Sequence, residues 1–225
     1  MKKFQIIAAT ALCSFAIVGS MNAQAGLMGQ TVYLEGIYTG YGPNSSGASN
    51  NIGEIVVGSG IEYEQVIGLY SDGQQVGTAL QSWDFGDTSI EFSMEILTGG
   101  IDAIAFGPGD FNGMVVTDSL GSIDGFASAS VGAIAGDPIY WTDYYGFPQQ
   151  DPVLSDWLVD QYESVDAASR AEVINSDVLE LNLQGMVWTD PNNASIVFDI
   201  QFVPAPGALA VLGLAMVGGA RRRRR

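Results

Sequence analysis

The chain has 225 residues, 47% of them hydrophobic and 15% charged, with 25 acidic side chains against eight basic ones and no histidine. Seven of the basic residues sit at the extreme ends, as Lys2, Lys3 and Arg221 to Arg225, so residues 26–203 carry Arg170 alone against all 25 acids, a balance of −24. A body of that sign does not neutralise phosphates, which excludes nucleic-acid binding by it. The lack of histidine excludes Ser-His-Asp triads, most zinc sites and imidazole general-base chemistry.

In chain order, Lys2 and Lys3 precede an apolar run from Phe4 to Val18, followed by Ala23-Gln24-Ala25. A basic start, a short apolar core and small residues at Ala23 and Ala25 predict a signal peptide over residues 1–25, cleaved after Ala25 and read by the secretion machinery. A retained anchor helix is the alternative, but the run is short of the roughly 20 residues a spanning helix needs. Cys13, the only cysteine, lies inside this run. The mature body therefore has no thiol and folds by packing alone.

Residues 26–203 number 178, enough to bury a sizeable core. Three segments alternate cleanly: Ile90, Phe92, Met94 and Ile96; Leu179, Leu181 and Leu183; and Ile196, Phe198, Ile200 and Phe202, each separated by a single residue. Period-2 patterning predicts half-buried strands. Weaker strand candidates are Thr31 to Tyr38, Glu54 to Val57, Ile61 to Leu69, Gly113 to Thr117 and Ile123 to Val131, with Asp72-Gly73 as a tight turn. Gly40 to Asn51 reads as a flexible polar loop. Val153 to Ser169 is the one helical-looking segment, opened by Asp151-Pro152, and it reads equally as an irregular insertion. Many short strands with Gly-rich turns predict an all-β fold, a β-sandwich or jelly roll, for residues 26–203.

Four constellations bear on chemistry. Trp83-Asp84 and Trp141-Thr142-Asp143 supply the aromatic and carboxylate types that glycoside hydrolysis uses, but nothing separates an acid from a nucleophile. Asp84 with Asp87, Asn50 with Asn51, and Asp190 with Asn192 and Asn193 are weak candidates for Ca2+, the one cofactor the residue types suit; the same residues also serve turns for backbone reasons. Tyr140, Trp141, Tyr144, Tyr145, Phe147 and Trp157 form an aromatic cluster, with Asp137 and Asp143 able to take sugar hydroxyls. Tyr140, Trp141, Asp143, Tyr144 and Tyr145 are accordingly candidate glycan-binding residues; the alternative is a loop that packs its own rings. No Gly-x-Ser-x-Gly elbow and no phosphate-loop lysine is present. These residues predict no enzyme.

The chain ends with Val203-Pro204-Ala205-Pro206-Gly207, an apolar run from Ala208 to Ala220, and Arg221, Arg222, Arg223, Arg224 and Arg225. The prolines and Gly207 break the preceding strand. Thirteen helical residues cover roughly 20 Å, below the roughly 30 Å hydrocarbon core, so the run predicts a short C-terminal hydrophobic helix with transient inner-membrane anchoring and an arginine stop on the cytoplasmic side.

Residues 203–225 resemble the PEP-CTERM sorting signal, with Pro204-Ala205-Pro206 where the usual middle residue is Glu. The resemblance implies an exosortase-like membrane protease as partner and processing enzyme, in exopolysaccharide-making bacteria. The body also resembles a loose group of uncharacterised bacterial proteins with such tails, through Gly58-Ser59-Gly60-Ile61-Glu62, Trp83-Asp84-Phe85-Gly86-Asp87-Thr88-Ser89-Ile90, Phe111-Asn112-Gly113 and Asn182-Leu183-Gln184-Gly185. That resemblance implies a sandwich and no known chemistry. The expectation is an exported, non-catalytic envelope or extracellular-matrix protein. A carbohydrate-binding module acting on exopolysaccharide is the alternative, and a divergent glycosidase a third.

Overall fold

The computed structural model describes residues 26–38, 48–71, 74–106, 111–121, 123, 125–140, 143 and 167–203. Within them the chain runs through β1 (Thr31–Tyr38), β2 (Ala48–Val56), β3 (Ile61–Ser71), β4 (Gln74–Phe85), β5 (Ser89–Thr98), β6 (Ile104–Ala105), β7 (Asn112–Thr117), β8 (Phe126–Ala135) and β9 (Pro138–Tyr140). A 3-10 turn at Ala168–Arg170 precedes β10 (Ala171–Asn175), β11 (Val178–Asn182), β12 (Met186–Trp188) and β13 (Ser195–Phe202).

The strands divide into three open antiparallel sheets. The first has the order β10-β11-β7-β1-β2, the second β3-β4-β5-β13-β8, and a small third one β6-β12-β9. The three cleanly alternating segments become β5, β11 and β13, and each buries the predicted face: Ile90, Phe92 and Met94; Leu179 and Leu181; Ile196, Phe198 and Ile200. These join Val32, Leu34, Met114 and Val116 of the first sheet and Ala79, Trp83 and Phe85 of the second in a single apolar cluster. The Trp83 ring is tilted on Phe92 at 5.0 Å, and Phe92 in turn meets Phe106 and Trp188 at 5.6 and 6.0 Å. The indole N–H groups of Trp83 and Trp188 are buried without a hydrogen-bond partner, so packing alone holds both rings.

The weaker candidates also become strands, with shifted bounds. β3 and β4 pair with Ser71 opposite Gln74, a register that leaves residues 72 and 73 between them; the predicted Asp72-Gly73 turn itself lies outside the described residues. Residues 48–51, read as loop, belong to β2, because Ala48 to Asn51 pair with Glu35 to Tyr38 of β1. Ladder hydrogen bonds to a neighbouring strand override a polar sequence there.

The two-sheet sandwich or jelly roll is corrected. The body is all-β but has three sheets, none of which closes into a barrel. The third sheet consists of strands of two or three residues, too short to show a period of two. It takes the chain between the larger sheets: β12 follows β11 of the first sheet and precedes β13 of the second.

The transmembrane helix and the inner-membrane anchoring are corrected as well. Among the described residues no helix is long and apolar enough to cross a membrane. The predicted C-terminal helix, the motif Pro204 to Gly207, the arginine cluster, the signal peptide with Ala23 and Ala25, and residues 153–166 of the helical-looking segment lie outside the described residues.

Candidate functional site

The motifs singled out in the sequence converge on two places, and in each a side chain serves the backbone. The first is a buried polar knot. Phe111-Asn112-Gly113 enters β7, and Asn182-Leu183-Gln184-Gly185 leaves β11, its neighbour. The Asn182 Oδ1 accepts from the backbone N–H of Asn112 at 3.1 Å and from that of Gln184 at 3.0 Å. The Leu183 N–H donates to the Asn112 carbonyl at 2.7 Å. Gly113 and Gly185 are glycines for steric reasons. A Cβ on Gly113 would collide with the Leu181 carbonyl oxygen, and Gly185 has φ +66° with the Tyr140 ring against it.

Arg170 completes this knot. It ends the 3-10 turn and is fully buried, with Nη1 donating to the carbonyl oxygens of Gln184 at 2.8 Å and Asn182 at 3.4 Å. A guanidinium presents five donors in a rigid fork, which suits a turn whose carbonyls point inward. The only cation of the body is thus an internal strut. Its solitude in the sequence was the signal available; its burial was not legible there.

The second place is the Glu62 clamp. Gly58-Ser59-Gly60 crosses from β2 to β3 and Ile61-Glu62 opens β3, and the Glu62 carboxylate accepts from the Gly58 N–H at 2.8 Å and from the Phe85 N–H at 2.7 Å. One acid therefore ties the start of β3 to the end of β4. The Trp83 to Ile90 motif is the β4–β5 hairpin, closed by the Gly86 N–H donating to the Ser89 carbonyl at 2.8 Å. Its Trp83 faces the core. Asp84 is exposed, as alternation along a strand requires, so the pair does not form an aromatic floor beside a carboxylate.

Of the calcium candidates, Asp87 carries the Leu27 N–H on its backbone carbonyl at 2.9 Å. Asp190 closes a turn by accepting from Asn193 Nδ2 at 2.5 Å, and Asn192 is exposed in that turn. Among the described residues no group of three or more acidic side chains could hold a metal ion. Of the glycan candidates, Tyr140 is buried at the end of β9, 4% exposed, with its ring against Gly185, and so offers no surface for stacking. Asp143 is exposed; Trp141, Tyr144 and Tyr145 lie outside the described residues.

Charge leaves its mark on the outer surfaces. Glu172 and Glu180 stand directly opposite each other across β10 and β11. Partial burial, and then the neighbouring Glu172, raises the Glu180 pKa above the ordinary carboxylate value. Burial likewise raises the Tyr63 pKa, opposed by its hydrogen bond with Asn50.

No family model, curated protein or solved structure matches the chain.

Proposed function

We propose that the chain is an exported, non-catalytic envelope or matrix protein whose body is a stable acidic β module and whose carboxyl end is a sorting signal. The observation that carries this reading is the ordered pair of ends: Lys2-Lys3, an apolar run and Ala23-Gln24-Ala25 at one, and Pro204-Ala205-Pro206, an apolar run and five arginines at the other. The resemblance of residues 203–225 to the PEP-CTERM signal names an exosortase-like protease as the processing partner. The body supports a non-catalytic role because Asn182 and Glu62 of its motifs, and Arg170 beside Asn182, are engaged with backbone groups.

Intact-mass analysis of the protein released by its native host tests the reading. The expected species begins at Gly26 and lacks Arg221 to Arg225. Released protein that still carries Arg225 defeats the processing claim, and turnover of a polysaccharide by the purified protein defeats the non-catalytic one.

A further inference from the structure

The two long edges of the second sheet differ. At the β8 edge the Phe126 N–H donates to the Ser176 carbonyl of the β10–β11 turn at 2.8 Å, so the first sheet covers its start. At the other edge lies β3, 11 residues long. Among the described residues no backbone hydrogen bond reaches β3 from the side away from β4. Natural edges are usually guarded by charged side chains, above all lysine, by proline, by a bulge or by an inward-pointing charge. On β3, Glu62 is engaged with backbone N–H groups, and the exposed charge is Glu64, which repels an acidic edge and attracts a basic one. β3 contains no lysine or proline, and its register shifts fall near its ends, at Ile61/Tyr63 and Leu69/Tyr70. The residues that share a face with core-facing Trp83 and Ala79, namely Tyr63, Gln65, Ile67 and Leu69, are uncharged.

The outward face of this edge is both apolar and acidic. Ile61 and Val66 are 51% and 58% exposed, and Glu64 lies between them on the same face. Behind them on that face, Ile61 is followed by Asp84 and Glu91, and Val66 by Leu80 and Glu95. We propose that the β3 edge, which no described strand covers, is a docking site for an extended basic segment of a partner protein, which adds as a sixth strand to the second sheet. The backbone ladder supplies the affinity, apolar side chains of the segment cover Ile61 and Val66, and its lysines or arginines meet Glu64 and the carboxylates behind. Charge selects this occupant over the body of a second copy, which brings another −24 while its one cation is buried; the chain's own basic run, Arg221 to Arg225, is arginine alone and lacks the apolar side chains that would cover Ile61 and Val66. The inference stands whether or not the chain is exported.

Binding of labelled, end-capped peptides to the full chain, followed by fluorescence anisotropy at physiological salt, tests this. A (Val-Lys)4 peptide forms strands, whereas (Pro-Lys)4 has the same charge and lacks the backbone donors at proline. The expected result is at least about tenfold tighter binding of (Val-Lys)4. Adjacent residues on a strand point their N–H groups to opposite sides, so one of Gln65→Pro and Val66→Pro spares the β4 ladder. The variant whose melt matches the parent should lose that binding about tenfold or more. Glu64→Lys, on the exposed face, should weaken (Val-Lys)4 binding several-fold, with a smaller effect on (Pro-Lys)4. Equal binding of the two peptides, or undiminished binding by Glu64→Lys and by the melt-neutral proline variant, overturns the proposal. Self-association of the full chain that the same substitutions abolish assigns the edge to a second copy and overturns it equally.

Discussion

The Arg170 knot and the Glu62 clamp solve one problem in two settings. Each uses a charged side chain to satisfy two backbone groups where the chain leaves a strand. Arg170 does so with no solvent access, between carbonyl oxygens of the turn after β11. Glu62 does so half-buried, and one of its two bonds, to Gly58, is exposed. The difference is in what water can replace. A carbonyl left alone in the knot has no substitute partner, whereas at the clamp the exposed Gly58 N–H, left alone, regains water. The same chemistry is therefore essential in one region and supportive in the other.

Substitution at the knot should have the largest effect. Arg170→Ala removes the donor to Gln184 and Asn182 and opens a void, with an expected loss of about 3 kcal/mol or more in chemical denaturation. Arg170→Lys should recover only part of this, because an ammonium cannot reproduce the planar fork. If Arg170→Ala melts like the parent, the contrast with Glu62 is wrong.

Next in size is Asn182→Ala, which strips the acceptor from two buried N–H groups and should cost about 2 kcal/mol by the same measurement. Gly113→Ala tests the knot from the steric side. Because the obstacle is the Leu181 backbone, a loss of about 2 kcal/mol or more is expected, and a neutral result would show that β7 and β11 can separate.

At the clamp, Glu62→Gln keeps the shape but leaves one acceptor oxygen for two donors. A loss of about 1 kcal/mol is expected, read as a small drop in melting temperature. A loss equal to that of Arg170→Ala would erase the distinction between the two sites.

The smallest effect concerns Glu180. Its folded-state pKa is raised, by partial burial and then by Glu172, so the folded protein takes up the proton before the unfolded chain does. The penalty of its charge is present above the raised value and fades as pH falls through it toward the ordinary carboxylate value. Glu180→Gln should therefore melt slightly higher than the parent near neutral pH, with the gap closing as pH falls through that window. A gap that widens on acidification would show that Glu180 is stabilised as the anion.

Strand identity was largely local. The alternation of Ile90 to Ile96 and of Ile196 to Phe202 dictates which face of β5 and β13 is buried, because a pleated strand has a period of two and water excludes the apolar face. The balance of −24 and the unaccompanied Arg170 were equally plain in composition. The division into three sheets was not, since β6, β9 and β12 are too short for any period and exist only because β12 brings its own partners on both sides. Nor was the task of the motifs. Asn182 next to Asn112, and Glu62 next to Phe85, are separated by 70 and 23 positions, and only strand pairing brings them together. Local sequence sets the conformational preference of each segment; which buried carbonyl needs a donor, and which residue supplies it, is decided when the sheets pack and water leaves.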